Sequence, residues 1–299
     1  MRVLITGVGG FVGSRLARHL LDTGGEVWGT YLRDAPDLPG VELLDVDILD
    51  SGAVARAMER AAPDAVIHLA GLSHVGSSWS ELAAYFQVNV LGAENVLDAA
   101  AERRVIVASS AEVYGAVPEA EQPISEQTPL APASPYAMTK AALERVARPR
   151  GAIVVRSFNA IGAGQAPGFA LPTFARQLAA IRRGEQEPVL KVGNLAARRD
   201  FVAVGDAVAA YDLVARNGEP GEVYNLGCGR ALSIEEVLHR LIVVSGVRAR
   251  IEVDPERFRP ADVPLLEADA SRLRALGWTP KSDVDGALRE LWLSVAGDD

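Results

Sequence analysis

Residues 5–16 read ITGVGGFVGSRL, and they set Gly7, Gly10 and Gly13 between an apolar run, RVLIT, and a segment whose Leu16, Leu20 and Leu21 recur at helical spacing. A short β-rich run ending in glycine has the character of a buried parallel strand. Glycines at this spacing permit a tight turn, let a pyrophosphate approach the backbone, and let helix and strand pack closely. Phe11 and Val12 then open the helix, whose free N–H groups and dipole favour a bound anion. The stretch predicts a βαβ unit that holds a dinucleotide through Gly7, Gly10, Phe11, Val12 and Gly13.

The pattern continues outward from there. EVWGTYL, VELLDVDI, DAVIHLAG and RVIVASS read as strands, and SGAVARAMERA and AAYFQVNVLGAENVLDAAAE as the helices between them. This alternation predicts a Rossmann-like α/β fold, a doubly wound parallel sheet covered on both faces. After Ser157 the texture changes to a Gly/Pro-rich loop, NAIGAGQAPGF, then a helix in ALPTFARQLAAIRRG and another in SIEEVLHRLIVVSG, with Ser233 as N-cap before Glu235 and Glu236. GAIVVRSFN and GEVYNLGCG read as returns to the main sheet. The expected organisation is a dinucleotide-binding domain over 1–157, with chain returns near 200–228, and a smaller α/β substrate-binding lobe over most of 158–299. The cleft between them is the expected site.

Composition narrows the partners. With 299 residues and 49% hydrophobic content the chain can bury a large core, and a formal charge of −9 argues against nucleic acid. A single cysteine, Cys228, excludes an internal disulfide, and four scattered histidines add no metal framework, so no metal is expected. No apolar run is long enough to span a bilayer, and the N-terminus lacks a signal-peptide layout, so a cytoplasmic protein with no membrane partner is expected.

The second strand ends in Thr30 and Tyr31, with Arg33 just beyond and no carboxylate at the tip. A missing acid and a nearby arginine favour the 2′-phosphate of NADP(H) over NAD(H), although Asp34 could still turn inward. RVIVASS ends in Ser109 and Ser110 at the sheet edge where such folds carry out chemistry. SPYAMTK then puts Tyr136 and Lys140 one helical turn apart. A buried cation beside a phenol would lower its pKa from about 10 toward working pH, and Ser110 could hold a substrate oxygen as charge develops. A lone Tyr-x-x-x-Lys arises by chance. With the glycine loop upstream and a serine at a strand end, Tyr136 reads as catalytic.

These motifs resemble those of the extended short-chain dehydrogenase/reductase family, the nucleotide-sugar epimerases, dehydratases and reductases. Gly7/Gly10/Gly13, DVDILD, HLAG, SSAEVYG, SPYAMTK and RSFN fall in the family's order along the whole chain. The resemblance implies that Asp47 and Ile48 flank an adenine, that Leu69, Ala70 and Gly71 line the cofactor, and that Asn159 meets the substrate. SHVGSS, with Ser73 and Val75, matches the family's sugar-facing loop. EPVLKVGNLAARRDF and RPADVPLL resemble the branch acting on GDP-sugars, the GDP-4-dehydro-6-deoxy-D-mannose reductases above all. That likeness implies Arg199 at the diphosphate, Arg259 and Asp262 at the guanosine end, and Val192 among the substrate-binding residues. From the residues alone, Lys191, Arg198 and Arg199 around a Gly-Asn turn make a local anion trap. An ordinary Arg199–Asp200 ion pair is the plainer alternative.

The likeness implies reduction of the C4 ketone of a GDP-4-keto-6-deoxy sugar. A GDP-mannose 4,6-dehydratase is the rival, since Glu112 stands where that reaction's base would be. A related epimerase ranks third, and a non-catalytic nucleotide sensor on the same fold is the alternative of a different class, disfavoured by the retained Tyr136 and Lys140. A homodimer is expected by the same likeness, although the segment from Lys140 to Arg156 is short for the family, and Pro149 ends its helix early. Cys228 reads as a small buried residue with nothing arranged to activate it.

Overall fold

In the computed structural model, residues 1–258 and 263–297 are described. The chain runs β1 (Arg2–Thr6), α1 (Phe11–Asp22), β2 (Glu26–Tyr31), β3 (Glu42–Asp45), α2 (Ser51–Ala61), β4 (Ala65–His68), α3 (Leu82–Phe86), α4 (Ala93–Ala100), β5 (Arg104–Ser110), α5 (Pro135–Ala147) and β6 (Ile153–Ser157). It continues β7 (Asn159–Ile161), α6 (Ala170–Arg182), β8 (Val189–Val192), β9 (Arg198–Ala203), α7 (Val204–Asn217), β10 (Val223–Leu226), β11 (Ala231–Ser233), α8 (Ile234–Ser245), β12 (Arg250–Val253), β13 (Leu265–Leu266), α9 (Ser271–Ala275) and α10 (Val284–Ala296).

Seven parallel strands form the main sheet in the order β3-β2-β1-β4-β5-β6-β10. The winding reverses between β1 and β4, which opens a crevice at the carboxyl ends of those strands. Successive strand residues feed opposite layers. Ile5 packs with Leu16, Leu20, Val208 and Val214 from α1 and α7, whereas Leu4 packs with Met58, Val96 and Leu143 from α2, α4 and α5. Each such side chain contributes about 1.5–3 kcal/mol when fully buried. The sheet is therefore a rigid floor for whatever stands at its edge.

The predicted helix through 83–102 is interrupted. Between α3 and α4 the residues Gln87–Gly92 form a π-turn. A Cβ at Gly92 would come within 2.7 Å of the Ile48 side chain, so the wide turn lies tightly on the loop after β3. π-turns are uncommon and cluster at functional sites.

In the second part of the molecule β9 pairs with β7, β11 and β13, and β8 pairs with β12. The helices α6, α8 and α10 close over these strands around Phe174, Leu178, Leu241, Leu291 and Trp292. Ser233 caps α8 as expected, in a capping box with Glu236. Two crossings tie this part to the main sheet. β6 passes into β7 with Phe158 between them, and β10 returns to the main sheet before β11 leaves it again. Among the described residues no helix is long and apolar enough to cross a membrane.

Candidate active site

The loop between β1 and α1 is built for close approach. Gly7 has φ +72°, and a Cβ there would lie 2.8 Å from the Cα of Ala70; one at Gly13 would lie 2.4 Å from the Gly7 carbonyl oxygen. No side chain caps the N-terminus of α1, which leaves its first turn open to an anion. Leu69 and Ala70 donate backbone N–H groups to the backbone and side chain of Thr6, which fixes the loop after β4 against β1. Gly71 brings that loop close to α5, for a Cβ there would stand 2.8 Å from Asn89 Oδ1 and 3.7 Å from Lys140 Nζ. At the next strand, Arg33 has φ +76° and an exposed side chain, beside a half-buried Tyr31 and an exposed Asp34. Ile48 is buried under Gly92, and the Asp47 carboxylate accepts from the N–H of Leu49 at 2.9 Å. The glycine cradle and the uncapped helix together fit the pyrophosphate of a dinucleotide.

Ser134 starts α5 by accepting from Ala137 N, and Pro135 occupies its first turn. That start sets Tyr136 and Lys140 on the inward face, both buried, alongside the buried Ser110 at the end of β5. Lys140 Nζ donates to the Ala108 carbonyl at 2.9 Å and stands 6.0 Å from the Tyr136 ring centroid. Burial pushes the Lys140 ammonium down to about 8. Contrary to the expectation of a lowered phenol, burial raises Tyr136 above its ordinary 10.0, and the hydrogen bond with Ser110 offsets this only in part. Burial dominates, and the one hydrogen bond of the Lys140 ammonium among the described residues goes to the β5 backbone. Glu112 is half-buried, its N–H donates to Ser110 Oγ at 3.2 Å, and its charge lies near enough to Tyr136 to favour the neutral phenol further.

Two side chains absent from the sequence reading hold this edge together. Asn89, in the π-turn, accepts from Leu72 N at 2.8 Å and donates to Leu72 O and Thr139 Oγ1 at 2.9 and 3.0 Å, stapling the loop after β4 to α5. Tyr85 packs edge-on to Tyr136 at 6.5 Å and donates to His74 O at 2.6 Å. The only sequence signal for either was a polar residue at a core-facing helical position.

Next to this edge lies a cavity of about 400 Å³, lined by Asn159, Phe169, Phe174, Arg199, Arg257 and Phe258, among others. His74 closes one side. Its Nδ1 accepts from Ser77 N, which leaves Nε2–H to donate to Gly168 O at 3.0 Å. Val75 is buried against Tyr85 and Tyr136, so the loop after β4 joins cavity and edge, with Ser73 exposed beside it. Gln165 also lines the cavity, and its buried Oε1 has no partner among the described residues. Arg199 is buried, with Nη1 donating to Val263 O at 2.6 Å.

The cationic trio does not assemble as expected. Arg198 turns outward to Glu119 at 3.1 Å. Lys191 is exposed on β8, its backbone tied to Gln177, and does not line the cavity. Alternation along β8 explains the difference, since it sends Val192 into the core of the lobe, where it is fully buried, rather than toward a ligand. Asp200 accepts instead from the backbone N–H groups of Cys228, Gly229 and Ala268, and burial still raises its pKa to about 6. Cys228 is half-buried, with its thiol pushed up to about 12 by burial first and then by Asp200, as befits an unreactive residue. Arg259 and Asp262 lie outside the described residues.

The model of the GDP-mannose 4,6 dehydratase family matches residues 4–291. The chain belongs to that family, within the extended short-chain dehydrogenases/reductases. Members of the family similar to it include the GDP-6-deoxy-D-mannose reductase of Pseudomonas aeruginosa, 34% identical over 301 residues, which cover 97% of this chain and 95% of that protein. Among solved structures, RMD from Pseudomonas aeruginosa complexed with NADPH is 32% identical, covers 99% of both chains and has a TM-score of 0.86. The UDP-glucose 4-epimerase of Thermus thermophilus complexed with NAD is 30% identical, also covers 99% of both chains and has a TM-score of 0.89. One fold thus serves reductase and epimerase alike, and function has to be argued from the site.

Proposed function

We propose that the protein reduces the C4 ketone of a GDP-4-keto-6-deoxyhexose to the alcohol, with NADPH as reductant. The observation that carries this reading is the buried Tyr136 beside Ser110 and Lys140 at the crevice edge, in a chain similar over its length to a GDP-6-deoxy-D-mannose reductase. When bound, the dihydronicotinamide supplies the hydride. The chain's own residues do the rest. The loop at Gly7, Gly10, Phe11, Val12 and Gly13 would hold the pyrophosphate, Asp47 and Ile48 the adenine side, Leu69 to Gly71 the nicotinamide half, and Lys140 with Tyr136 the ribose. Ser110 donates to the ketone oxygen, and Tyr136 gives its proton to that oxygen as it becomes an alkoxide. Lys140 has three N–H donors, of which one goes to Ala108 O; its charge balances the phenolate left behind. A phenol that begins protonated suits this direction of proton flow.

Arg199 and Asn159 would hold the sugar diphosphate, and the aromatic walls of the cavity would hold the base. Arg33 supports NADPH over NADH: Arg33→Ala is expected to lower turnover at limiting NADPH about tenfold and leave the NADH rate unchanged, as initial rates with each cofactor would test. Exposed Leu82 and Phe86 on α3 and Met138 on α5 support a homodimer across that face, and a monomer in sedimentation equilibrium would exclude it.

A second reading keeps one observation of its own. Glu112 sets a carboxylate near Tyr136, as a 4,6-dehydratase needs to take the C5 proton. Incubation with GDP-4-keto-6-deoxymannose plus NADPH, and separately with GDP-mannose plus NADP⁺, divides the two. Loss of NADPH in the first mixture supports the reductase. Conversion of GDP-mannose to the keto sugar without net cofactor change supports the dehydratase, and Glu112→Gln would then abolish it.

A further inference from the structure

Beneath Ser110 and Lys140 runs a buried ionic network that the proposed chemistry leaves unused. The inward face of α5 presents Tyr136, Lys140 and Glu144 at successive turns, all buried. Glu144 Oε1 accepts from Ser109 Oγ at 2.5 Å and from Arg156 Nε at 2.9 Å, and its Oε2 accepts from Arg156 Nη2 at 2.6 Å. Arg156 Nη1 in turn donates to Tyr114 Oη at 2.8 Å and to Glu126 O at 3.1 Å, and the Tyr114 hydroxyl donates to Asn225 Oδ1 at 2.7 Å. Ser109, Arg156 and Asn225 are register partners across β5, β6 and β10, so one row of the sheet is polar from strand to strand.

A buried ion pair is a poor device for stability alone, since its desolvation cost rivals its attraction and an apolar pair of the same volume often does as well. Its place one helical turn from Lys140 points elsewhere. We propose that Glu144, balanced by Arg156, is a positioning residue: it pins α5 to β5 and β6, and it sets the field in which Lys140 keeps its proton beside Tyr136. This rests on the reading of Tyr136 and Lys140 as the proton-donating pair.

Glu144 on α5 acts on the Lys140 charge directly, and His68 on β4 is coupled to it. Other polar side chains of the elements around it include Tyr136 on α5, Ser109 and Ser110 on β5, and Arg156 on β6, which reaches it through Glu144. His68 is neutral, because burial first and the Lys140 charge second push it down to about 3. Against the burial that lowers Lys140, the Glu144 carboxylate acts to raise it. The signs follow directly. Neutralising Glu144 removes a favourable charge and uncovers Arg156, so Lys140 loses its proton at lower pH. Neutralising Arg156 uncovers Glu144, so Lys140 keeps its proton to higher pH. A purely structural role would not move Lys140 in opposite directions.

Lys140, Lys191 and Lys281 are the only lysines in the chain, so carbon-13 NMR of protein labelled at lysine Cε gives three separable titrations without cofactor or substrate. Glu144→Gln is expected to lower the Lys140 midpoint by about one pH unit, Arg156→Met to raise it by a similar amount, and Arg156→Lys to restore it. Should Glu144→Gln not fold, the Arg156→Met and Arg156→Lys pair decides by the same criterion. Midpoints that stay at the wild-type value, or that move the same way in both charge-removing variants, would overturn the proposal. Because the titration uses cofactor-free protein, it is read separately from any test of the reductase. In the active enzyme the alkaline limb of kcat is expected to shift in the same order.

Discussion

The edge of the main sheet and the cavity of the lobe adjoin each other, yet they are assembled in different ways. At the edge, each functional group sits on a stiff element whose start is encoded locally: a glycine turn into α1, a strand end at Ser110, a Ser-Pro cap that launches α5. Around the cavity, His74, Asn159, Phe169, Arg199 and Arg257 arrive from five separate segments, and their meeting depends on the pairing of β9 with β7 and on the loop that His74 clips. On the proposed reading, the edge carries chemistry through short-range order and the cavity carries specificity through long-range order. The two should fail differently when mutated.

The largest effect is expected at the edge. Tyr136→Phe removes the proton donor while keeping the ring that packs on Val75 and Tyr85, so kcat should fall about 10³-fold with thermal stability near wild type. Turnover of the Phe variant within about tenfold of wild type would assign the proton to another group.

The next effect belongs to the hinge of the cavity. Asp200 joins β9 to the turn after β10 and to the segment after β13 through three backbone N–H groups. Asp200→Asn places amide hydrogens against those donors and should cost about 3 kcal/mol in urea unfolding. The sign with pH also follows. The folded pKa, about 6, lies above the ordinary 3.8, so the aspartate's contribution is fully present below about pH 4 and is lost as pH rises through 6. The stability gap between wild type and variant should therefore be widest in acid and narrow toward neutrality. A gap that widens with pH would contradict this burial argument.

This contrast also explains what could be read from the chain. The glycine loop, the strand–helix alternation, the Ser233 cap and the returns of β6 and β10 were legible, because turn chemistry and periodicity are local. The cationic trio departs from expectation because closeness in sequence is not closeness in space; alternation on β8 and β9 sends Lys191, Arg198 and Arg199 to different surroundings. The phenol departs from it because spacing fixes which face Tyr136 takes, not how completely that face is buried. Glu144 and Arg156 were invisible as a pair, since nothing in a one-dimensional pattern shows that a helix and three parallel strands align their polar side chains.

The smallest of these effects sharpens the division of labour. Arg199→Ala should raise KM for the GDP-sugar about tenfold while kcat changes little, the mark of binding lost equally in ground and transition states. A loss confined to kcat would move Arg199 from the cavity's role to the edge's.

The central claim, hydride delivery to C4 with a proton from Tyr136, is tested most directly by incubating the protein with GDP-4-keto-6-deoxymannose and NADPH deuterated at nicotinamide C4, on either face in turn. The expected product is a GDP-6-deoxyhexose with deuterium at C4 of the sugar from one of the two faces, and with no label in the Tyr136→Phe control over the same time. Product formed without deuterium at C4, or an unconsumed cofactor alongside solvent exchange at C5, would contradict it.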